Sequence, residues 1–349
     1  MASATPKLHT VYKRLIVRRR VAILASLVAV LALFILDISV GPTLIPPPRI
    51  IKALFDPLSV DESTRLIIWD VRLPVALAAI LAGASLGLAG AVMQVVLDNP
   101  LASPYTTGVS AGAAFGAALA YALGLQLVPL AGEYIVVVNA FICSLIVLTL
   151  VYILGGLRDF TSEALILAGI AVSYAFHSGL ALLEYLASEE ALQAIVFWLF
   201  GSLYKATWSK LAMVAITLLL GIIALYPRAW NLTSLQLGDD TARSMGVDPK
   251  RERLIALLVA GLVTSVTVSI YGVIGFVGLV APHTARLALG SEDERYLLPL
   301  SMLHGSLILC AADVASKLVT PGGVLPIGIV TSLVGVPYLL ALMARGRRA

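Results

Sequence analysis

Long apolar runs separated by short polar segments dominate this chain. The clearest, Leu73 to Leu97, has 25 residues without a charged side chain, and as an α-helix it would extend roughly 37 Å, enough to cross a bilayer. A second run begins at about residue 105, after the polar segment 98–104 (DNPLASP). The prolines of that segment end the first helix and favour a rigid turn. The pattern predicts two membrane helices joined by a short polar hinge.

Small residues recur along both helices of this pair. Gly83, Gly87 and Ala91 are spaced four residues apart on the first helix, as are Gly112 and Gly116 on the second. In lipid, where hydrophobicity alone does not drive helices together, small residues at this spacing let backbones approach closely. We therefore expect tight helix contacts through these glycines.

Eight further apolar segments bring the predicted number of spans to about ten. They are 21–40, 134–155, 164–187, 209–227, 254–273, 274–289, 297–316 and 325–344. Segment 274–289 is short and contains Pro282, His283 and Arg286, so it is expected to be a broken or half-length helix that neighbouring helices bury. The predicted fold is all-α and polytopic, with a single transmembrane domain over 21–344. Residues 41–71 are expected to form a Pro-rich polar loop.

Composition supports the same class of protein. The chain is 60% hydrophobic and 13% charged, with a mean hydropathy of +0.98, whereas a soluble domain has about 25% charged residues. The net charge of +4 comes mostly from Lys and Arg in residues 1–20, in the 228–253 loop and near the C-terminus. The positive-inside rule then places both the N-terminal segment 1–20 and the tail 345–349 in the cytoplasm, and nucleic acid is not needed to explain the charge.

The first apolar run is expected to be a retained helix. Val21 to Val40 is longer than the core of a cleaved signal peptide, and no A-x-A-like site follows it. Cys143 and Cys310 both lie inside apolar runs, so a disulfide framework is not expected. No Cys or His motif predicts a metal site.

The loop around residues 234–252 is more organised than a plain connector. Gly246 suits a helix C-terminus, Asp248 an N-cap and Pro249 a first helical position. An apolar stripe is predicted on a short helix by Leu235, Leu237, Ala242 and Met245. Two short helices with a tight turn would form either a solvated connector or a docking surface for another protein.

Several motifs together resemble one known family. They are RLP at 72–74, GAxxGLAGAVMQ at 83–94, NPLAxP at 99–104, GVSAGAAFG at 108–116, FWLFGSL at 197–203, LGDDTARSMGV at 237–247, GVIGFVGLVAPHTARLALG at 272–290, AD at 312–313 and LPIGIVTSLVGVPYLL at 325–340. In this order they resemble the FecCD-type iron-chelate and cobalamin permeases, the membrane subunits of ABC importers.

The resemblance implies a type II ABC importer permease fold in the cell membrane. It further implies a homodimer, two ATP-binding cassette ATPase subunits and an extracytoplasmic solute-binding protein. The chain lacks the G-x-x-x-x-G-K-[ST] phosphate loop, so it is not expected to be an enzyme. It would hold no cofactor, and the ATP and Mg would be bound by the partner ATPase. The cargo would be a ferric siderophore, haem, cobalamin or another chelate such as an oxyanion, moved by alternating access.

The resemblance also assigns roles to residues. The cytoplasmic gate would include Asn99, Leu101, Thr161 and Ser162. Helix capping is an alternative role for Asn99 and Ser162. Coupling to the ATPase would involve Gly238, Asp239, Arg243 and Gly246.

Outer cations would dock the binding protein. Arg72 and Lys317 match such family positions, and Arg65 is added because Val75 replaces a second arginine found in many relatives. Arg72 could instead snorkel at the membrane interface.

Polar residues within the predicted spans need a partner or a function. His283 and Asp313 fall in family motifs and are expected to anchor helices to one another. His177 and Glu184 lie seven residues apart on the fifth span, which lines the pathway in relatives, so a substrate or metal role is possible there. An ion-driven secondary transporter would use similar residues and is the alternative function. An intramembrane enzyme finds no supporting motif.

Overall fold

The computed structural model describes the backbone of residues 5–129, 132, 134–319 and 323–345. Side-chain surroundings are described from residue 17 onward, except at 339 and 341–345. Within these ranges every regular element is a helix. The fifteen α-helices are α1 Thr5–Ser39, α2 Pro47–Phe55, α3 Glu62–Leu66, α4 Leu73–Val96, α5 Val109–Leu123, α6 Tyr134–Gly156, α7 Ser162–Leu186, α8 Glu189–Leu199, α9 Trp208–Leu225, α10 Ala229–Leu235, α11 Asp239–Ser244, α12 Pro249–Tyr271, α13 Val277–Leu289, α14 Glu294–Val319 and α15 Ile327–Arg345.

Each predicted span corresponds to a helix, but the number of complete crossings is not confirmed as ten. By length and composition, seven helices in the described part of the chain can cross a membrane. The apolar helix α5 and the 327–338 part of α15 are shorter. Helix α13 has only 13 residues, as expected for a half-length helix. Helix α5 starts four residues later than predicted because Pro104–Thr107 forms a 3-10 turn and Gly108 is left-handed.

Two parts of the chain are more regular than the sequence analysis expected. Segment 41–71 contains α2 and α3, and a π-helical turn Ile67–Arg72 joins α3 to α4. Ile50 and Ala53 of α2 are buried in a cluster with Ile38 at the end of α1, and this packing explains why a Pro-rich segment is ordered. Helix α8 was also not predicted. Its N-cap Ser188 accepts a hydrogen bond from the Ala191 amide at 3.3 Å.

The centre of the bundle is α4, which packs closely against α14 and α13. A Cβ atom added to Gly83 would lie 2.4 Å from the Gly305 carbonyl oxygen, and one on Gly87 would lie 2.2 Å from that of Ser301. At the contact of α5 with α6, a Cβ on Gly116 would lie 2.2 Å from the Asn139 carbonyl oxygen. Any side chain would collide with backbone at these crossings, so the predicted close packing through small residues is confirmed.

Helix α12 connects two ends of the molecule. It begins next to α10 and α11 and has 23 residues, or about 34 Å of helix. At its other end, the Ser202 amide donates a hydrogen bond to the Tyr271 carbonyl at 2.7 Å. We call these the α10–α11 end and the far end.

Candidate gate, coupling and docking sites

A tight turn follows α4 where the sequence predicted a gate. Asp98 has a positive φ of 45°, which turns the chain away from the helix axis. The Asn99 side-chain oxygen then accepts a hydrogen bond from the Leu101 amide at 2.9 Å. Leu101 is left 58% exposed at the tip of the turn. Asn99 therefore stabilises its own turn rather than capping a helix.

The second predicted gate segment lies beside this turn. The Ser162 hydroxyl donates a hydrogen bond to the Val96 carbonyl at the end of α4, at 3.3 Å. Thr161 is the N-cap of α7 and accepts from the Ala164 amide at 3.3 Å, so the capping residue is Thr161 and not Ser162. The structure thus brings all four predicted gate residues to one end of the molecule, while their gating role stays a prediction.

A cavity of about 460 Å³ extends from this turn along α7. Its lining residues are Leu97, Asn99, Ala102, Thr106, Ile166, Ile170, Ser173, Tyr174 and His177. His177 is exposed on α7, and an imidazole facing lipid would be costly. Its position therefore fits a water-filled passage. Glu184 is half-buried and does not line the cavity, so the structure does not join it with His177 in one site.

The predicted short helices are present as α10 and α11. Gly238 and Gly246 flank α11 with φ values of 93° and 81°. Nothing lies within 4 Å of a Cβ added at either glycine. The backbone conformation alone therefore favours glycine at both positions.

The predicted apolar stripe is divided between two environments. Leu235 is 4% exposed and Ala242 is fully buried, whereas Leu237 is 60% and Met245 44% exposed. The expectation of one continuous stripe was wrong because the turn at Gly238 rotates α11 relative to α10. The exposed pair forms an apolar surface at this end of the molecule, and the buried pair attaches it to the bundle.

Ion pairs fix this unit to α12. Asp239 accepts two hydrogen bonds from the Arg253 guanidinium at 2.8 and 2.7 Å. These bonds lower the pKa of the Asp239 carboxyl below its ordinary value. Arg228 donates to the Glu252 carboxylate at 2.8 Å, and Asn231 donates to the same oxygen at 3.1 Å. Bidentate, partly buried contacts of this kind hold two elements in a defined orientation.

Further contacts reach α14 and the second gate segment. The Gln236 amide donates to the Glu294 carboxylate at 2.7 Å. The Lys250 ammonium at the start of α12 lies 3.0 Å from the Asp159 carboxylate, just before the predicted gate residue Thr161. Arg243, by contrast, is exposed and pairs with Asp240 of its own helix, at 3.1 Å.

Two of the three predicted docking cations are buried. Arg72 is 6% exposed, and its guanidinium donates to the carbonyls of Ile38, Ser39 and Thr43. This cation therefore ties α1 to α4, and it does not snorkel. Arg65 is different, because its side chain is 36% exposed and lies 3.8 Å from Glu62. Only Arg65 has the exposure that a docking residue needs.

Lys317 lies inside α14, although its predicted span ended at residue 316. Its side chain is 4% exposed and forms ion pairs with Asp37 at 2.6 Å and Asp313 at 2.7 Å. A charge in an apolar bundle requires such partners, and this one connects α14 to α1. Asp313 contacts Lys317 of its own helix, and its predicted role as an anchor between helices stays a prediction. The His283 Nε2 atom is buried without a hydrogen-bond partner, and the ring packs edge-on against Tyr338 at 6.1 Å.

No group of three or more His, Cys, Asp or Glu residues that could hold a metal ion occurs in the part of the chain that the structure describes. Both cysteines are free and buried.

Comparisons with known proteins agree with this architecture. The haemin transport system permease HmuU of Yersinia pestis is 36% identical over 285 residues, which cover 80% of this chain and 84% of that protein. The Fe(3+)-citrate import system permease YfmE of Bacillus subtilis is 35% identical over 329 residues, covering 93% and 95%. A solved inward-facing structure, assigned to the metal-chelate type of ABC transporters, superposes with a TM-score of 0.80 at 29% identity and covers 93% of this chain and 99% of its own.

The sequence profile of the FecCD transport family matches residues 29–345, which include nine of the ten predicted apolar segments and residues 29–40 of the first. The seven long apolar helices agree with a multi-pass membrane protein. The chain therefore belongs to the FecCD transport family and is a membrane permease subunit of an ABC importer.

Proposed function

We propose that this chain imports a metal chelate (a ferric siderophore, haem or cobalamin) and that it works as a homodimer. The dimer would bind two ATPase subunits on its cytoplasmic side and a solute-binding protein on its outer side. We place both termini in the cytoplasm, on the same side of the membrane as the α10–α11 unit. ATP and Mg are bound and ATP is hydrolysed in the partner subunits, and this chain performs no catalysis. The observation that carries the proposal is the α10–α11 unit. It presents exposed Leu237 and Met245 on a support that ion pairs fix to the bundle.

This unit can transmit a rigid-body movement. If an ATPase subunit binds the exposed apolar surface, a shift of α11 acts on α12 through Asp239 and Arg253. The displacement of α12 then reaches the second gate segment through Lys250 and Asp159. Packed helices move as units rather than deforming continuously. Closure of the ATPase pair would therefore shift the gate residues between their open and closed positions.

The passage would run along α7. The 460 Å³ cavity ends at the turn containing Asn99 and Leu101. The exposed side chains Leu167, Tyr174 and Tyr185 extend along the same helix. A second copy of the chain facing α7 would enclose this cavity. Leu101 of each copy would then close its cytoplasmic end.

Docking of the binding protein would take place at the far end. Arg65 in α3 is the exposed cation for a carboxylate of that protein, and it replaces Arg72 and Lys317 in this role. The ion pair with Glu62 is long, at 3.8 Å, so little free energy is lost when Arg65 changes partner.

Reconstitution tests the proposal. The full chain, its ATPase subunit and its binding protein are placed in proteoliposomes, and uptake of ferric citrate, haemin and cyanocobalamin is measured. We expect uptake of at least one chelate that requires ATP and the binding protein and that ionophores do not change. Uptake by the chain alone, driven by an ion gradient, would instead establish the secondary-transporter alternative.

A cross-linking experiment tests the dimer. Because Cys143 and Cys310 are buried, a cysteine introduced at Leu101 reports on that position. Leu101→Cys is expected to form a covalent dimer with a short bifunctional thiol reagent. The control is Leu58→Cys, at an 84% exposed position between α2 and α3, and this variant should stay monomeric. Equal cross-linking of both variants would argue against the proposed passage.

A further inference from the structure

A second cavity, of about 470 Å³, lies at the far end of the molecule. It is bounded by the end of α8, the turn Leu203–Lys205 and the segment before α15. Its side chains of chemical interest are four aromatic rings, one cation and one carboxylate: Tyr121, Phe197, Trp198, Tyr204, Lys205 and Asp313. We call it the aromatic cavity. The chelate passage along α7 does not use these residues.

Within the described part of the chain, the cation of this cavity has no anionic partner. The Lys205 ammonium is buried without a hydrogen-bond partner and lies 5.4 Å from the centre of the Trp198 ring. Burial, together with the nearby charge of Lys210, lowers the pKa of Lys205 to about 8. A desolvated cation of this kind gains free energy when an anion approaches.

The carboxylate in the same cavity is already paired. Asp313 lies 2.7 Å from the Lys317 ammonium, which also contacts Asp37 at 2.6 Å. Lys317 thus forms ion pairs with both carboxylates between α1 and α14, so Asp313 already has a cation other than Lys205. The charge of Lys205 is therefore left for a ligand.

The walls of the cavity are held rigidly. A Cβ on Gly201 would lie 2.4 Å from the Val273 carbonyl oxygen, and one on Gly272 would lie 2.3 Å from that of Trp198. The Gly328 amide donates a hydrogen bond to the Phe200 carbonyl at 2.9 Å. Three separate segments thus meet backbone to backbone at the wall of the cavity that contains Gly201, and these contacts fix the backbone there.

From this geometry we infer that the aromatic cavity binds an anionic, ring-bearing part of the chelate, such as a catechol carboxylate or a porphyrin carboxylate. The inference rests on the proposed function, and it names the chemistry of the cargo. Lys205 pairs with the carboxylate while Trp198 and its aromatic neighbours contact the ring. The volume accommodates one such group rather than a whole chelate, which suits a site on the way to the passage.

Calorimetry on the full-length chain in lipid nanodiscs tests the site. The probe is 2,3-dihydroxybenzoate, and the matched neutral probe is 2,3-dihydroxybenzamide, which has the same ring without the charge. We expect saturable binding of the acid by the native chain, at least about tenfold tighter than that of the amide. Lys205→Met should weaken binding of the acid at least about tenfold and leave binding of the amide unchanged, and Lys205→Arg should retain binding of the acid.

The control variant is Lys52→Met, at an exposed lysine of α2, and it should bind the acid as the native chain does. Thermal unfolding of each variant shows that the fold is intact. The inference is overturned if the native chain binds neither probe, if it binds both equally, or if Lys205→Met binds the acid like the native chain. Because the assay measures binding to the isolated chain, its outcome is independent of whether ATP drives uptake.

Discussion

The crossing of α4 and α14 gives a quantitative test of the packing. In Gly83→Ala the added Cβ would lie 2.4 Å from the Gly305 carbonyl oxygen and 2.7 Å from the Ser306 Cα, whereas carbon–oxygen contacts normally measure about 3.3–3.6 Å. The helices must therefore separate by about 1 Å along the crossing. Overpacking of this kind costs about 1–3 kcal/mol, and the helix preference for alanine offsets up to about 1 kcal/mol.

The two buried cysteines provide the assay. A thiol-reactive dye labels Cys143 and Cys310 only as the protein unfolds, so the midpoint temperature can be measured on the full chain in detergent. The middle of this range is a net cost of about 1–2 kcal/mol, and at about 2 °C per kcal/mol for a protein of this size Gly83→Ala should lower the midpoint by about 2–4 °C.

Gly156→Ala is the matched control. It lies at the exposed end of α6, where the nearest atom to the new Cβ is a Phe160 ring carbon at 3.3 Å, so its midpoint should stay within about 1 °C of the native value. If Gly83→Ala unfolds at or above the temperature of Gly156→Ala, the close approach of α4 and α14 is not as described.

Two further predictions concern charge and partner binding. Lys317→Met leaves Asp37 and Asp313 as buried carboxylates without a cation, which costs about 3–5 kcal/mol. The unfolding midpoint should fall sharply, and adding Asp37→Asn should recover part of the loss; no change in midpoint would mean that the ion pairs are not buried. Leu237→Asp places a charge on the exposed apolar surface of the α10–α11 unit and should abolish co-purification of the ATPase subunit without lowering the midpoint. The control Leu58→Asp should keep the ATPase bound, and retention by both variants would exclude this surface as the contact.

Much of the architecture is determined by local sequence. An uncharged run in lipid must satisfy its backbone hydrogen bonds internally, so apolar segments of sufficient length become helices. The small residues Gly83, Gly87 and Gly116 mark the close crossings because any side chain there meets backbone. The half-length helix α13 was recognisable from its short apolar run, which contains Pro282, His283 and Arg286.

Side-chain environments were not predictable in the same way. Arg72 and Lys317 look like exposed cations in the sequence, because each lies at the end of a predicted apolar run. Lys317 pairs with Asp313 of its own helix, but its other partner is Asp37, 280 positions away, and the partners of Arg72 lie at the end of α1 and in the loop after it. No local pattern relates residues so distant, so the burial of these cations followed only from the tertiary structure.

The sequence by itself therefore determined the class, the long apolar helices and the family, because hydropathy and short motifs act over neighbouring residues. Only the tertiary structure decided which charged side chains form ion pairs or hydrogen bonds within the bundle and which can contact a ligand or another protein. It buried Arg72 and Lys317 among acceptors and exposed Leu237 beside a fixed support. Among the residues that the structure describes, it left the Lys205 ammonium without an acceptor, in a cavity lined with aromatic rings. The physical reason is that pairing and desolvation depend on which distant segments meet in space.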